Sequence, residues 1–258
     1  YLWGFGEVYF GDFPRWVRAM IEYLFIWLRK WDRETSQQVD EFWCISDNVK
    51  RRIQAVYGRE AKVIYPPVDF KIFNTNSIPL ALRKYYYLIV SALTPYKRID
   101  VAIEAFNGWD RELRIAGDGP LRNRYQSLAR TTNIQFLGHV SNEELKCLYE
   151  EARALIFPPE EDFGIVPLEA QACGTPVIAY ARGGALETVK DGVFFYEQSP
   201  RAIREAVTQF ESKPFDSDSL RQWALRFDKT AFKTKIKQAQ HHPNSLLLQK
   251  LYSSPLQR

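Results

Sequence analysis

The alternation of apolar and polar positions divides the chain near residue 85. Before that point, residues 1–38 are aromatic and helical in character, and only two short later stretches alternate as strands do. From residue 85 onward, apolar runs of about four to six residues alternate with amphipathic segments of about ten residues. Strands that alternate with helices in this way predict an α/β fold with a doubly wound parallel sheet.

The predicted elements follow one another without long gaps. Strands of the sheet are predicted at residues 86–93, 113–116, 134–137, 154–157, 176–180 and 193–196. Helices are predicted at 99–106, 121–129, 143–151 (capped by Asn142 or Ser141), 166–172, 185–190 and 200–210. Earlier in the chain we expect a strand at 39–46, a helix at 47–57 and a strand at 63–65. Asp47 can cap that helix and Gly58 can end it.

Residues 68–84 lack a periodic pattern and are polar in the middle, which predicts a linker between two domains. We therefore divide the chain into an N-terminal part with linker at 1–78, a sheet domain at 79–240 and a tail at 241–258. Because the sequence begins with Tyr1 rather than methionine, we expect further residues to precede it in the natural protein.

The composition limits the classes of partner and the cellular compartment that we expect for this chain. Lys and Arg outnumber Asp and Glu by 35 to 31, an excess too small to indicate a nucleic-acid partner. The cysteines Cys44, Cys147 and Cys173 lack the spacing of a metal site and predict reduced thiols in a cytoplasmic protein. Charged residues interrupt the lipophilic stretch 16–31, so it predicts either a buried helix or a peripheral helix on the inner face of a membrane.

Ligands of doubly wound sheets bind where the strands end, so the loops after strands carry the candidate chemistry. In the loop 91–100, Lys97 and Arg98 stand at the start of a helix, where cations oppose the helix dipole. That placement favours an anion between them, and a solvated basic turn is an equal alternative. The turn at Gly117 lets a backbone approach a ligand, but the rest of the dinucleotide-binding fingerprint is missing.

The strongest signal is an acidic loop followed by Gly164 and by a helix that carries Glu169. A helix that starts at Gly164 would present free backbone N–H groups to an anion. Glu169 lies among apolar residues and needs a partner, for which ribose hydroxyls are suitable. Eight helical residues would separate Glu161 from Glu169 by roughly 12 Å, whereas a double-displacement pair of carboxylates requires about 5 Å. We therefore expect two contacts with one extended ligand, and the turn at Gly183 and Gly184 suits its phosphate.

Four segments, 88–106, 113–121, 134–149 and 154–189, resemble the family 4 (group 1) retaining glycosyltransferases of the B-type, twin-Rossmann fold. Two glutamates with seven residues between them are a pattern of that family, and the run FGIVPLEA followed by GTPVIA is highly specific in combination. Within the family, the chain is most similar to bacterial transferases of the mannosyltransferase type, which build polysaccharide or lipid-linked glycans.

The resemblance implies a nucleotide-sugar donor, with GDP-mannose favoured, a glycan or lipid-linked acceptor, retention of configuration, and no metal or other cofactor. The sheet domain would bind the donor, with Glu161 facing the sugar and Glu169 binding the ribose. Lys97 would neutralise the departing diphosphate, and Arg98 would supply further charge. The predicted donor-binding residues are Glu169, Phe163, Gly164, Ile165, Val166, Gly117, Val140, Gly183 and Gly184.

The chain also departs from the family. Ala92 stands where many relatives have an arginine, and Arg98 stands at a position that is often glycine, so Arg98 would compensate for the missing charge. The family has a complete N-terminal acceptor domain, of which residues 1–78 resemble only the final part. Two other functions therefore stay open, a non-catalytic nucleotide-sugar-binding protein and a nucleotide-sugar epimerase on the same fold.

Overall fold

The first part of the chain forms a small parallel sheet with two helices. The computed structural model describes residues 3, 10–11, 13–73 and 83–240, so the predicted tail and the centre of the predicted linker lie outside the described residues. The elements of this part are α1 (Arg15–Ser36), β1 (Phe42–Cys44), α2 (Asp47–Tyr57) and β2 (Ala61–Val63). β1 is shorter than predicted. β2 lies two residues earlier than predicted, because its parallel register places Ala61 opposite Phe42.

Ser46, and not the predicted Asp47, caps α2. The Ser46 hydroxyl accepts a hydrogen bond from the backbone N–H of Val49, one of the donors that a helix leaves free at its start. Asp47 is the first residue inside the helix, and its carboxylate accepts from the hydroxyl of Tyr65 at 3.1 Å. Gly58 ends the helix with a φ of 65°, as predicted.

Six parallel strands form the main sheet. They are β3 (Tyr86–Val90), β4 (Glu112–Ala116), β5 (Ile134–Gly138), β6 (Ala154–Phe157), β7 (Val177–Tyr180) and β8 (Val193–Phe195). Their order is β5-β4-β3-β6-β7-β8, and every pair is parallel. The predicted doubly wound sheet is confirmed. The strand order reverses between β3 and β6, and such a reversal opens a crevice at the carboxyl ends of the two strands.

The connections between these strands are helical. The helices are α3 (Ile99–Phe106), α4 (Arg122–Leu128), α5 (Asn142–Glu151), α6 (Ile165–Ala172), α7 (Ala185–Thr188) and α8 (Pro200–Glu211). Ser141 caps α5, one of the two predicted caps. Two further helices, α9 (Ser217–Ala224) and α10 (Lys229–Gln240), were not predicted, because their sequences are polar and carry few apolar residues. α9 packs against α6, and its Leu220 and Ala224 are buried.

Alternate residues of β3 enter two separate cores, one on each face of the sheet. Tyr87 and Ile89 belong to the core that α3 and α8 cover, whereas Tyr86 and Leu88 belong to the core around α6. This alternation follows from the two-residue period of a strand. A sheet buried on both faces leaves only its strand ends open to a ligand.

The predicted linker is packed against the sheet domain at both of its described ends. Val68 and Phe73 are buried, and Phe73 contacts the ring of Tyr149 edge-on. Arg83 is also buried, and its guanidinium donates to the Thr175 hydroxyl and to backbone carbonyls. The domain boundary at residue 78 stays a prediction, because it lies outside the described residues.

α1 presents a stripe of large apolar side chains to solvent. Trp16, Met20, Tyr23 and Trp27 are each more than half exposed, and Ser36 is the buried residue of this helix. The interpretation of 16–31 as a buried helix is therefore wrong, and the alternative of a peripheral membrane helix stays a prediction. Among the described residues, no helix combines the length and the apolar character needed to cross a membrane.

Candidate active site

The loop between β6 and α6 carries the acidic residues away from the end of a buried strand. Pro158 and Pro159 follow β6 and stop its pairing, because proline has no backbone N–H. α6 then starts at Ile165, directly after Gly164, whose φ of 86° is a left-handed conformation that favours glycine. In the described part of the chain no side chain caps this helix, so its first N–H groups remain available to an anion.

Glu161 lies in this loop and not in α6. This agrees with the predicted acidic loop before Gly164, but it contradicts the distance estimate that assumed a helix over the eight residues from Glu161 to Glu169, because α6 begins only at Ile165. The spacing of about 12 Å, which depended on that helix, no longer applies. The two carboxylates must be compared through their surroundings instead.

Glu161 forms an ion pair with Lys97. The Lys97 ammonium donates to Oε1 of Glu161, and the two side chains are only 15% and 18% exposed. Lys97 ends a short 3₁₀ turn, Pro95–Lys97, which follows β3, so the pair joins the two strands at the reversal of strand order. The anion that the sequence predicts beside Lys97 is, in this structure, a carboxylate of the protein itself.

Glu169 is held by Tyr149. Tyr149 of α5 is fully buried, and its hydroxyl donates to Oε2 of Glu169 at 3.1 Å. Burial raises the pKa of Glu169 to about 7, and the hydrogen bond from Tyr149 opposes that shift. Glu169 lies four residues after Ile165, so both residues are on the same face of α6. The partner that Glu169 requires is thus present before any ligand binds.

A cleft of about 550 Å³ opens between the β6–α6 loop and the first part of the chain. Its lining residues are Ile45, Pro66, Tyr96, Lys97, Glu160, Glu161, Asp162, Phe163, Gly164 and Ile165. Of the predicted site residues, five line this cleft directly: Lys97, Glu161, Phe163, Gly164 and Ile165. Glu169 extends the candidate site beyond the cleft along α6.

The glycine turn before α7 holds the acidic loop in place. The backbone N–H of Gly184 donates to the carbonyl of Glu161 at 2.7 Å, so it is already used. A Cβ added at Gly183 would overlap that carbonyl, and one at Gly184 would overlap the backbone of Phe163. This close backbone packing explains why both positions are glycine. The prediction that the turn binds phosphate is therefore unsupported, because α7 has only four residues and its preceding amide has a protein partner.

Four other predicted donor-binding residues also contact the protein. The N–H of Gly117 donates to the carbonyl of Gly138 at 2.7 Å. Val140 and Val166 are half-buried and pack against the core around α6. Phe163 lines the cleft but is only 4% exposed, and its ring stacks on that of Tyr65. A ligand could therefore reach these residues mainly through their backbone atoms.

Comparison with known proteins settles the family. Residues 71–227, more than half of the chain, match the model of the family described as glycosyl transferases group 1. The chain belongs to the group 1 glycosyltransferases. The match includes β3 to β8, the Lys97–Glu161 pair and Glu169, and it ends at Phe227.

Individual glycosyltransferases support this assignment. An uncharacterised glycosyltransferase of Methanocaldococcus jannaschii is 29% identical over 178 residues, which is 66% of this chain and 49% of that protein. The chain spans about half the length of the curated relatives it matches.

Two solved structures share the fold. Sucrose-phosphate synthase of Thermosynechococcus elongatus has a TM-score of 0.70 at 20% identity, covering 97% of this chain and 67% of the other. The HepE protein of Anabaena, solved in complex with UDP and glucose, has a TM-score of 0.65 at 20% identity, covering 78% and 62%.

In this group 1 glycosyltransferase, Arg98 does not line the cleft. Its guanidinium donates to the side chain of Gln198 at 3.0 Å and lies 3.5 Å from the carboxylate of Asp100. Its φ of 52° explains why a glycine would be favourable at this position. The structure therefore separates Arg98 from Lys97, although the two residues are adjacent in the sequence.

Four contributors to the site were not predicted. Ile45 and Pro66 come from the first part of the chain and form the wall of the cleft that faces Glu161. Tyr96 lines the cleft beside Lys97, and Tyr149 binds Glu169. Only Tyr149 had a signal in the sequence, because a carboxylate in an apolar helix requires a donor. Within the described residues, no group of three or more His, Cys, Asp or Glu residues could hold a metal ion.

Proposed function

We propose that this chain binds the nucleotide-sugar donor of a transferase that moves the sugar, with retention, to a glycan or lipid-linked acceptor in bacterial polysaccharide synthesis. The observation that carries the proposal is the arrangement of three groups: the Lys97–Glu161 pair, the uncapped start of α6, and Glu169 one turn further along. GDP-mannose is the favoured donor because of the resemblance to mannosyltransferases. UDP-glucose is the alternative, since HepE was solved with UDP and glucose.

Each group suits one part of the donor. The diphosphate would accept hydrogen bonds from the first N–H groups of α6 and would share the ammonium of Lys97 with Glu161. The ribose hydroxyls would donate to the free oxygen of Glu169, whose other oxygen binds Tyr149. The sugar would then lie in the cleft beside Glu161.

Transfer would break the bond between the anomeric carbon and the phosphate oxygen, and the electron pair would leave with the diphosphate. Lys97 and the start of α6 would stabilise this charge without a metal. The acceptor hydroxyl would attack from the same face, which retains the configuration, and its proton would pass to the departing phosphate oxygen. No residue of the chain has to act as a nucleophile in this mechanism.

The decisive experiment is donor binding to a Glu169 variant. We expect Glu169→Ala to weaken binding of GDP-mannose or UDP-glucose by roughly 10- to 100-fold, because a hydrogen bond to a charged group is lost. Titration calorimetry measures the affinity. Glu104→Ala, which removes an exposed glutamate from α3, is the matched control and should bind normally. Equal affinities for the two variants would refute the site.

Analysis of the products formed from the donor, with and without an acceptor, separates the alternatives. Donor binding without transfer to any acceptor would favour the non-catalytic binding protein. Release of a changed nucleotide-sugar without an acceptor would favour the epimerase.

We also infer a cytoplasmic location with peripheral contact to the inner face of a membrane. The exposed stripe of α1 supports this contact, because Trp and Tyr side chains favour the headgroup region. Cosedimentation with anionic phosphatidylglycerol vesicles tests it. Binding that Trp16→Ala and Trp27→Ala leave unchanged would contradict the inference.

A further inference from the structure

Glu187 connects α7 of the sheet domain to α2 of the first part of the chain. Its two carboxylate oxygens accept hydrogen bonds from the backbone N–H groups of Asp47 and Asn48, both at 2.8 Å. These donors belong to the first turn of α2 and lie 140 and 139 residues earlier. A helix leaves such groups free, and its dipole favours a negative charge beside them. Together with the Ser46 cap, Glu187 completes the N-terminus of α2.

On the sheet-domain side, Glu187 is fixed by the acidic loop. It lies in α7, three residues after Gly184, and α7 follows the glycine turn whose residues pack on the backbone of Glu161 and Phe163. Because α7 is a short helix that starts at this turn, its position depends on the same backbone contacts that place Glu161. The turn that the sequence singled out for phosphate thus leads to a contact between the two parts of the molecule.

On the opposite side, α2 is fixed to the wall of the cleft. Ser46, its cap, directly follows Ile45, and Tyr65, which donates to the Asp47 carboxylate, directly precedes Pro66. Burial and the carboxylates of Asp47 and Glu187 raise the pKa of Tyr65, so its hydroxyl stays protonated as a donor. A shift of the first turn of α2 would therefore move both wall residues.

We propose that Glu187 is a positioning residue, which caps α2 from the sheet domain and so sets the distance between the wall of Ile45 and Pro66 and the loop of Glu161. A second connection, the ion pair between Arg52 and Asp162, involves side chains that are about half exposed. Solvent and salt screen such a pair, so it restrains α2 less than the two backbone hydrogen bonds to Glu187 do. Only the ligand-bound part of the following test rests on the proposed function.

Hydrogen exchange of the ligand-free chain tests the cap. We expect the amides of α2 to exchange about fivefold faster in Glu187→Ala than in Glu104→Ala, while β6 and α6 keep their protection. Glu187→Gln keeps one acceptor oxygen, so it should increase the exchange rate of the α2 amides less than Glu187→Ala does. If Glu187→Ala does not fold, Glu187→Gln takes its place in the comparison. Equal exchange of α2 in the Glu187 and Glu104 variants would overturn the proposal.

Hydrogen exchange with a saturating nucleotide-sugar tests the coupling across the cleft. With UDP-glucose or GDP-mannose, the unaltered chain should gain protection both at 161–169 and in α2. In Glu187→Ala, residues 161–169 should still gain protection, whereas α2 should not. Protection of α2 that persists in Glu187→Ala would overturn the proposal. If neither donor protects 161–169 in the unaltered chain, the proposed function fails, and the ligand-free comparison still decides the role of Glu187.

Discussion

The two carboxylates of the candidate site are held in opposite ways. Glu161 is ion-paired with Lys97 beside the cleft, whereas Glu169 is buried in α6 and accepts a hydrogen bond from neutral Tyr149. The charge of Glu161 is therefore already balanced, and its partner Lys97 can share its ammonium with a diphosphate. The second carboxylate has a pKa of about 7, so its charge depends on pH near neutrality. Their environments, rather than their spacing, are the basis on which we propose that they contact different parts of one ligand.

The largest expected effect on activity comes from removing Lys97, the ion-pair partner of Glu161. Lys97→Ala should slow the release of nucleoside diphosphate from the donor by about 100-fold, because it removes the charge that stabilises the leaving group. Among the described residues, Lys97 is the only lysine or arginine that lines the cleft. No other cation of the lining can therefore take its place. Lys84→Ala, which removes an exposed lysine paired with Glu151, is the control. A normal rate for Lys97→Ala would exclude it from catalysis.

At the buried end, donor binding should depend on pH. If the ribose requires ionised Glu169, affinity for UDP-glucose should fall about tenfold between pH 8 and pH 6, because the ionised fraction falls by that factor around a pKa of 7. The diphosphate of this donor keeps a constant charge over that range. Glu169→Gln should give a flat profile, and a flat profile in the unaltered chain would contradict the assignment.

The stability of the ligand-free chain should fall as the pH rises, whereas the affinity for the donor should increase. The folded pKa of Glu169 lies above the ordinary value of 4.5, so the protonated group contributes stability that is complete below pH 4.5 and is lost as the pH rises through about 7. Denaturant unfolding at pH 5 and pH 7.5 measures this contribution. Glu169→Gln should remove it, so the two chains should differ most in their pH dependence over this window.

A smaller effect should follow from removing the hydroxyl that holds Glu169. Tyr149→Phe should raise the pKa of Glu169 further and weaken UDP-glucose binding about threefold at pH 7, because the charged form loses a hydrogen bond. Binding should recover at pH 8.5. Tyr125→Phe removes another largely buried hydroxyl, which donates to the carbonyl of Thr94, and serves as the control. Weakened binding that does not recover at high pH would indicate a packing defect.

Local patterns were sufficient for the six strands of the main sheet and for the helices between them. α3 has the predicted bounds, 99–106, because a strong apolar face and flanking polar residues define it within the sequence. Gly164 stands directly before α6, as predicted, and the structure adds that its φ of 86° is a conformation that favours glycine. The parallel direction of the strands also follows from alternation, since parallel strands need helical crossovers.

The contacts that complete the site depend on distant partners. Lys97 and Glu161 are 64 residues apart, and Glu187 reaches α2 across 140 residues. No local period encodes such pairs, so the sequence predicted a ligand where the protein supplies its own carboxylate. The helical spacing between Glu161 and Glu169 failed for a local reason, because a loop precedes Gly164. The short strands β1 and β2 were misplaced because register with a partner, not propensity, sets their ends.

An experimental structure of this chain with a bound nucleotide-sugar tests the donor site most directly. We predict the diphosphate within hydrogen-bond distance of the N–H groups at the start of α6 and of the Lys97 ammonium. The ribose should donate to Glu169 while Tyr149 keeps its bond to the other oxygen. A donor that binds elsewhere, or one whose ribose is remote from Glu169, would contradict the proposed site.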